Sequence, residues 1–210
     1  MPNDKRVIRG RTAMSRRQEY AQATKQAILD AARRLFSKQG YFATKVDDIA
    51  ALARVAPATV YAVSGGKQGL LSTLIDVWST DPIVAETLDR VDTMGDPAEI
   101  LRLVASATRR MREDFGELLR VVVDTAPHDQ AVAKALARGT QRYRGALEHV
   151  VRRLHGLDAL KAGTDPAEAL DVMWFYFGYS GLFVLHDENG WSYERAERWL
   201  REQAGRALLR

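Results

Sequence analysis

The residue types that most often carry reaction chemistry are thin in this chain. It has four histidines, His128, His149, His155 and His186, and no cysteine. None of the histidines stands at His-x3-His spacing, and His149 and His155, six apart, fall on different faces of one helix, so no metal ligand set is expected. His186-Asp187-Glu188 reads as a polar helix end ahead of the Asn189-Gly190 turn. No Gly-x-Ser-x-Gly, Walker-type loop or dinucleotide fingerprint occurs, and Gly65-Gly66-Lys67 lacks the preceding strand and the spacing of a phosphate loop. No catalytic residue, metal or cofactor is expected, and no enzyme. A different chemistry suits the stretch from Thr44 to Lys67, namely contact with a polyanion. Pro57, Ala58 and Thr59 are small enough for the backbone to approach base edges, and Thr59 offers a hydroxyl and a methyl to a phosphate or a thymine. Tyr61 adds a phenol. Thr44 and Lys45 at one helix start, and Lys67 at another, stand beside free amides that bind anions.

The charge distribution agrees. Residues 1–70 carry 13 Lys/Arg against 5 Asp/Glu, whereas residues 71–210 carry 18 against 22. A basic third joined to a mildly acidic remainder points to a polyanion-facing module attached to something else. Arg6, Arg9, Arg11, Arg16 and Arg17 have almost nothing apolar beside them. Residues 1–20 are therefore expected to be a basic flexible arm, either a solvated tail or one that tracks a nucleic-acid groove. No run approaches the roughly 18 consecutive apolar residues of a membrane span. Met1 to Arg17 also lacks the apolar stretch of a secretory signal. A cytoplasmic protein with no membrane partner is expected.

The elements that must position these residues are all helices, about nine of them. The first runs from Ala23 to Gln39, with Ile28, Ala31, Ala32, Leu35 and Phe36 on one stripe and Gly40 closing it. Thr44-x-x-Asp47 reads as a capping box with Thr44 as N-cap of a second helix through Ala53. Pro57 opens a third through Val63, and Lys67 begins a fourth. Two two-turn helices separated by about three residues have helix-turn-helix spacing, over about 44–63. Further helices are expected over Pro97–Asp114, Phe115–Thr125, Gln130–Leu154 and Pro166–His186, and from the Ser192 cap to Leu209.

The anchors Ile28-x-x-Ala31-Ala32-x-x-Leu35-Phe36, Gly40-Tyr41, Thr44-x-Val46-x-x-Ile49-Ala50, Ala53-x-Val55, Pro57-Ala58-Thr59-Val60-Tyr61 and Lys67-x-x-Leu70-Leu71 stand in order. Ile28 to Leu71 thereby resembles the N-terminal domain of tetracycline-repressor (TetR) family transcriptional regulators. The resemblance implies a DNA-binding domain over 21–68, with Thr44, Lys45, Arg54, Pro57, Ala58, Thr59, Tyr61 and Lys67 as its contacting residues. Three positions depart from the family pattern. Arg54 stands where glycine is usual in the turn, so either a left-handed backbone costs about 1 kcal/mol there, or the turn is shaped differently, or the side chain projects onto a phosphate. Val63 and Ser64 replace a polar aromatic and a phenylalanine, removing one DNA contact and one packing anchor against the first helix.

For residues 69–210 the resemblance implies a regulatory domain that binds a small-molecule effector and dimerises through the last two helices. Met111, Phe115, Trp174, Phe175 and Tyr176 are the expected pocket lining. The helix over Leu170–Leu185 is apolar nearly all round and so needs cover on both sides. Leu170, Phe177, Gly181, Val184, Trp199, Leu200, Gln203 and Ala207 are the expected interface of a homodimer. The function implied is that of a ligand-responsive repressor on a pseudo-palindromic operator in double-stranded DNA. The alternative is a helical small-molecule-binding or interaction protein with a degenerate DNA-binding head.

Overall fold

The computed structural model describes residues 15–210, so Arg6, Arg9 and Arg11 of the expected arm lie outside the described residues. Among those described, the chain folds into ten α-helical segments, with no strand beyond one isolated bridge between Leu160 and Leu209. Helix α1 (Arg16–Gln39) begins earlier than Ala23 because Ser15 closes a capping box, its hydroxyl accepting from Gln18 N at 3.3 Å while Gln18 accepts from Ser15 N at 2.9 Å. Residues 16–20 are thus helical and not part of a flexible arm. Two short helices follow, α2 (Val46–Ala53) and α3 (Pro57–Ser64), and then α4 (Lys67–Ser79). Ile28, Ala32 and Phe36 of α1 are buried against Ile49, Val60 and Leu70. That core continues without a break into Leu118, Leu119 and Val122 of the body.

The body departs from the expected helix list in three places. A further helix, α5 (Pro82–Thr93), outside the expected list, has the same aspartate-proline start as the helices at Asp96 and Asp165; Asp81 accepts from Ile83 N at 3.0 Å. The two helices expected on either side of Asp114 are one, α6 (Pro97–Thr125), because no proline or cap interrupts it. After a 3-10 turn at Ala126–His128 comes α7 (Gln130–Gly156). The single helix expected over Pro166–His186 is instead α8 (Pro166–Phe177) and α9 (Tyr179–Leu182), the latter running on as a π-helical stretch, Phe183–Glu188. The break is at Gly178, whose ψ of −162° is extended, so its carbonyl leaves the helical ladder. Ser192 caps α10 (Tyr193–Leu208). The second core packs Ile100, Leu101 and Val104 of α6 with Val151 and Leu154 of α7, Met173 and Phe177 of α8, and Leu200 and Leu208 of α10. Helices α4 and α7 touch at Gly139, where a Cβ would stand 3.1 Å from the Trp78 ring.

Candidate functional site

The α2–turn–α3 unit is held from inside. Lys45, not Thr44, is the residue preceding α2, and its N–H donates to Asp48 at 3.2 Å. Thr44 is buried; its hydroxyl donates to Gly40 O at 2.7 Å and lies 3.4 Å from Gln39 Nε2, so it braces the α1–α2 turn and presents nothing to a phosphate. Lys67 is engaged in the same way. Its ammonium donates to the carbonyls of Tyr41 at 2.7 Å, Thr44 at 2.9 Å and Phe42 at 3.4 Å, and lies 4.4 Å from the centre of the Tyr41 ring. A lysine has three N–H donors, so all are occupied by the backbone. Burial lowers the Lys67 pKa, with Asp129 acting the other way.

What the unit exposes is different. Arg54 ends α2 in the left-handed conformation, φ 57° and ψ 44°, with its side chain in solvent. On α3, Pro57, Ala58, Tyr61 and Ala62 share an exposed face and Thr59 is half-buried beside them, while Val60 is sealed in the core. The helix carries no charged side chain. An uncharged ridge thus follows a helix with exposed cations at its two ends, Lys45 and Arg54, and neither is ion-paired among the described residues. Ser64, expected to weaken packing, closes the helix instead: its hydroxyl donates to Val60 O at 2.8 Å and accepts from Gly66 N at 3.3 Å.

The head meets the body through the shared apolar core and a few polar links. Arg33 of α1 pairs with Glu117 of α6 at 2.6 Å. Asp129, the cap of α7, accepts from Ala131 N at 2.9 Å and from Gln68 of α4 at 3.0 Å, and the Tyr41 hydroxyl lies at 3.5 Å. Burial and the facing Asp129 carboxylate push the Tyr41 phenol up to about 12. Burial raises the Asp129 pKa, but its donors Val132 N, Gln68 and Ala131 N outweigh that and leave it below the ordinary value.

Between α4, α5, α6 and α7 lie two small adjoining cavities. One, of about 50 Å³, is apolar, with Ile83, Leu88, Val104 and Val150 in its wall. The other, of about 40 Å³, is bounded by Trp78, Ser79, Arg112 and Arg142; Val84, Met111 and Tyr143 border both. Of the expected lining residues only Met111 is here. Phe175 is 73% exposed, because the turn of α8 that buries Met173 and Phe177 points it outward. Phe115 lies beneath Arg33, 5.1 Å from the guanidinium, in the seam between head and body. Trp174 packs edge-on to Tyr143 and Tyr179, and Tyr176 borders an outer groove with Val172 and Ala207.

Arg112 was not anticipated. It is 2% exposed, and its Nη2 donates to the freed Gly178 carbonyl at 3.0 Å while its Nε has no partner. Burial lowers its pKa, the tyrosines 143, 179 and 193 opposing. The signal was its position on the buried stripe Leu101, Ala105, Thr108, Arg112, Leu119 of α6, which ending a helix at Asp114 concealed.

The expected interface set divides. Phe177 and Leu200 are core residues of the single chain, 1% and 3% exposed, because α10 packs on the inner side of α8; neither is free to meet a partner. Gly181 faces Leu200 of its own chain. Leu170, Gln203 and Ala207 are half-buried, and Val184 and Trp199 are exposed. Among the described residues no three His, Asp or Glu side chains gather as a metal site, and no helix is long and apolar enough to cross a membrane.

Residues 28–74 match the family described as bacterial regulatory proteins, tetR family. That stretch holds the whole α2–turn–α3 unit with the helices that brace it. The match lies in the head of the chain and ends within α4. The chain is 26% identical over 156 residues, 74% of its own length and 80% of the relative's, to the uncharacterized HTH-type transcriptional regulator YvkB of Bacillus subtilis (strain 168). Its fold is shared with SmeT, the repressor of the Stenotrophomonas maltophilia multidrug efflux pump SmeDEF (22% identity, TM-score 0.70, covering 90% of this chain and 92% of that one). It is shared also with the transcriptional regulator FadR of Bacillus subtilis in complex with stearoyl-CoA (17% identity, TM-score 0.72, covering 87% and 98%). The fold shared with these two structures thus extends over the body, beyond residues 28–74.

Proposed function

We propose that this chain is a ligand-responsive transcriptional regulator, a homodimeric repressor that leaves a pseudo-palindromic operator when a small molecule binds its body. The observation that carries the reading is the ridge of exposed Pro57, Ala58 and Tyr61 with half-buried Thr59, on a helix braced from behind by Val60 and preceded by the exposed Lys45 and Arg54 at the two ends of α2. The small side chains of Pro57, Ala58 and Thr59 let the helix fit the major groove closely, with Thr59 and the methyl groups facing base edges and Tyr61 and the cations taking phosphates. In the dimer the two ridges would read half-sites about 34–36 Å apart or somewhat more. The outer sides of α8 and α10, exposing Phe175 and Trp199, are the surface offered to the second copy. Such a protein works where the duplex is, in the cytoplasm, and no catalytic step belongs to this reading. Domain bounds of 21–68 for the head and 69–210 for the body go with it, α4 crossing between them.

Coupling would run along α4. Its first residue, Lys67, holds the α1–α2 turn, and Trp78 near its end borders the inner cavity. A ligand that displaces Trp78 therefore tilts the head. The shift can be no larger than the ligand's differential affinity for the two arrangements. The test is duplex binding by fluorescence anisotropy across a salt series. Affinity should fall steeply with salt, Lys45→Ala and Arg54→Ala should each flatten the slope by about 1, and Thr59→Val should change the preference among sequences. Binding that is absent even in dilute buffer sinks the reading and favours a ligand-binding protein with a degenerate head.

A further inference from the structure

We propose that the inner cavity takes a small apolar carboxylic acid as its carboxylate, with Arg112 as the anion anchor, Trp78 as a second donor, and the apolar body lodged between α5, α6 and α7. This rests on the ligand-responsive reading and names the chemistry of its effector.

The argument begins with an unbalanced charge. A guanidinium has five N–H donors and is always protonated. Taking it out of water is costly unless an anion and hydrogen bonds compensate. Other arginines of the body have such partners: Arg109 with Glu113 and Glu197, Arg142 with Asp76, Arg144 with Asp171. Arg112 has one carbonyl and the faces of Tyr179 and Phe183, 5.5 and 5.8 Å from its guanidinium carbon. Among the described residues no carboxylate pairs with it.

A second orphan lies on the same wall. Trp78 Nε1 is buried without a partner, and Trp78 and Arg112 border the same small cavity. These are the two buried side-chain N/O atoms left unsatisfied among the described residues, and they belong to one site. Two unanswered N–H donors on the wall of one cavity, one of them on the cation itself, match the oxygens of a carboxylate, a planar monoanion that accepts from a guanidinium edge. The adjoining cavity, walled by Ile83, Leu88, Val104 and Val150, has nothing to offer a polar group beyond Thr87, Thr108 and Tyr143. It therefore selects an apolar body.

Both cavities are far smaller than the roughly 300 Å³ at which ligand pockets begin, so the site must open to fill. The wall suited to yield is α5, which buries only Thr87 and Val91 fully. A carboxylate on Arg112 would also compete with the Gly178 carbonyl at the α8–α9 break, linking the site to the outer helices.

The test uses the full chain without DNA, reading tryptophan fluorescence and calorimetry against decanoate, decan-1-ol and decylamine. Decanoate should bind at least about tenfold more tightly than decanol, with decylamine weakest. Arg112→Met should bring acid and alcohol within about twofold, while Arg112→Lys keeps part of the preference and Trp78→Phe lowers decanoate affinity a few-fold. Melting curves of each variant establish that it folds, and Trp78→Phe carries the test where Arg112→Met does not. Equal affinity for acid and alcohol overturns the proposal, as does a preference that survives Arg112→Met, or no decanoate binding by the parent at about 1 mM. Because the readout involves no duplex, a chain that binds decanoate but not DNA loses only the regulator reading, and one that binds DNA but not decanoate loses only this one.

Discussion

The two ends of α4 treat a neighbouring cation in opposite ways, half-buried Lys67 at one and fully buried Arg112 at the other. At the first turn, Lys67 gives each of its N–H groups to a carbonyl of the α1–α2 turn and stacks on Tyr41. At the last turn, Trp78 and the neighbouring Arg112 leave N–H groups unanswered beside a cavity. Saturated donors fix a geometry, since each would lose its partner in any other arrangement. Unsaturated ones leave a place whose energy falls when something suitable arrives. On the proposed reading, the head keeps one shape and the body changes its own.

Removing each cation should separate the two cases. Lys67→Met strands three carbonyls near the head core and should cost about 2–3 kcal/mol, seen as a lower urea midpoint at unchanged slope. Arg112→Met removes an uncompensated buried charge in exchange for a side chain that fits apolar walls. Its stability should be unchanged or higher by about 1 kcal/mol. Equal losses in the two variants would mean that Arg112 is as well satisfied in the native chain as Lys67, and the contrast would fail.

Asp129 sharpens the same contrast from the saturated side, since it caps α7 and receives Gln68 of α4. Asp129→Ala should cost about 1 kcal/mol. Its carboxyl titrates below the ordinary value in the folded chain, so the stability it adds is complete above that value and is lost as pH falls through the lower native one. The parent should therefore lose stability more steeply than Asp129→Ala on acidification below about pH 4, measured as melting temperature against pH.

How far this was legible in the sequence follows from where the partners come from. The stripe of α1, the stop at Gly40 and the start at Pro57 are local signals, and all three stand where the sequence places them. Thr44 and Lys67 were misread because their partners are backbone carbonyls of the α1–α2 turn, which no side-chain pattern announces. Phe177 and Leu200 exchanged places with Phe175 for a related reason. In a helix apolar all round, the covered side is decided by how α10 packs and by the break at Gly178. Arg112 was written into a readable stripe, but only once α6 is seen as one helix.

One residue of the saturated head does not follow its rule. Arg54 ends α2 at φ 57°, where a side chain is strained and glycine is not. Its guanidinium is in solvent and lies beside the α3 ridge in sequence, so the strain is tolerated without any packing gain inside the chain. Arg54→Gly should raise head stability by about 0.5–1 kcal/mol, the gain from relieved strain being partly offset by the freer unfolded chain. On the proposed reading it should also weaken duplex binding and reduce the salt slope by about 1, since a phosphate contact is lost. Opposite signs in the two measurements would identify Arg54 as a position kept for contact at the expense of the fold. A variant that gains stability and binds every duplex as the parent does would leave the strain without a purpose, and would remove Arg54 from the interface.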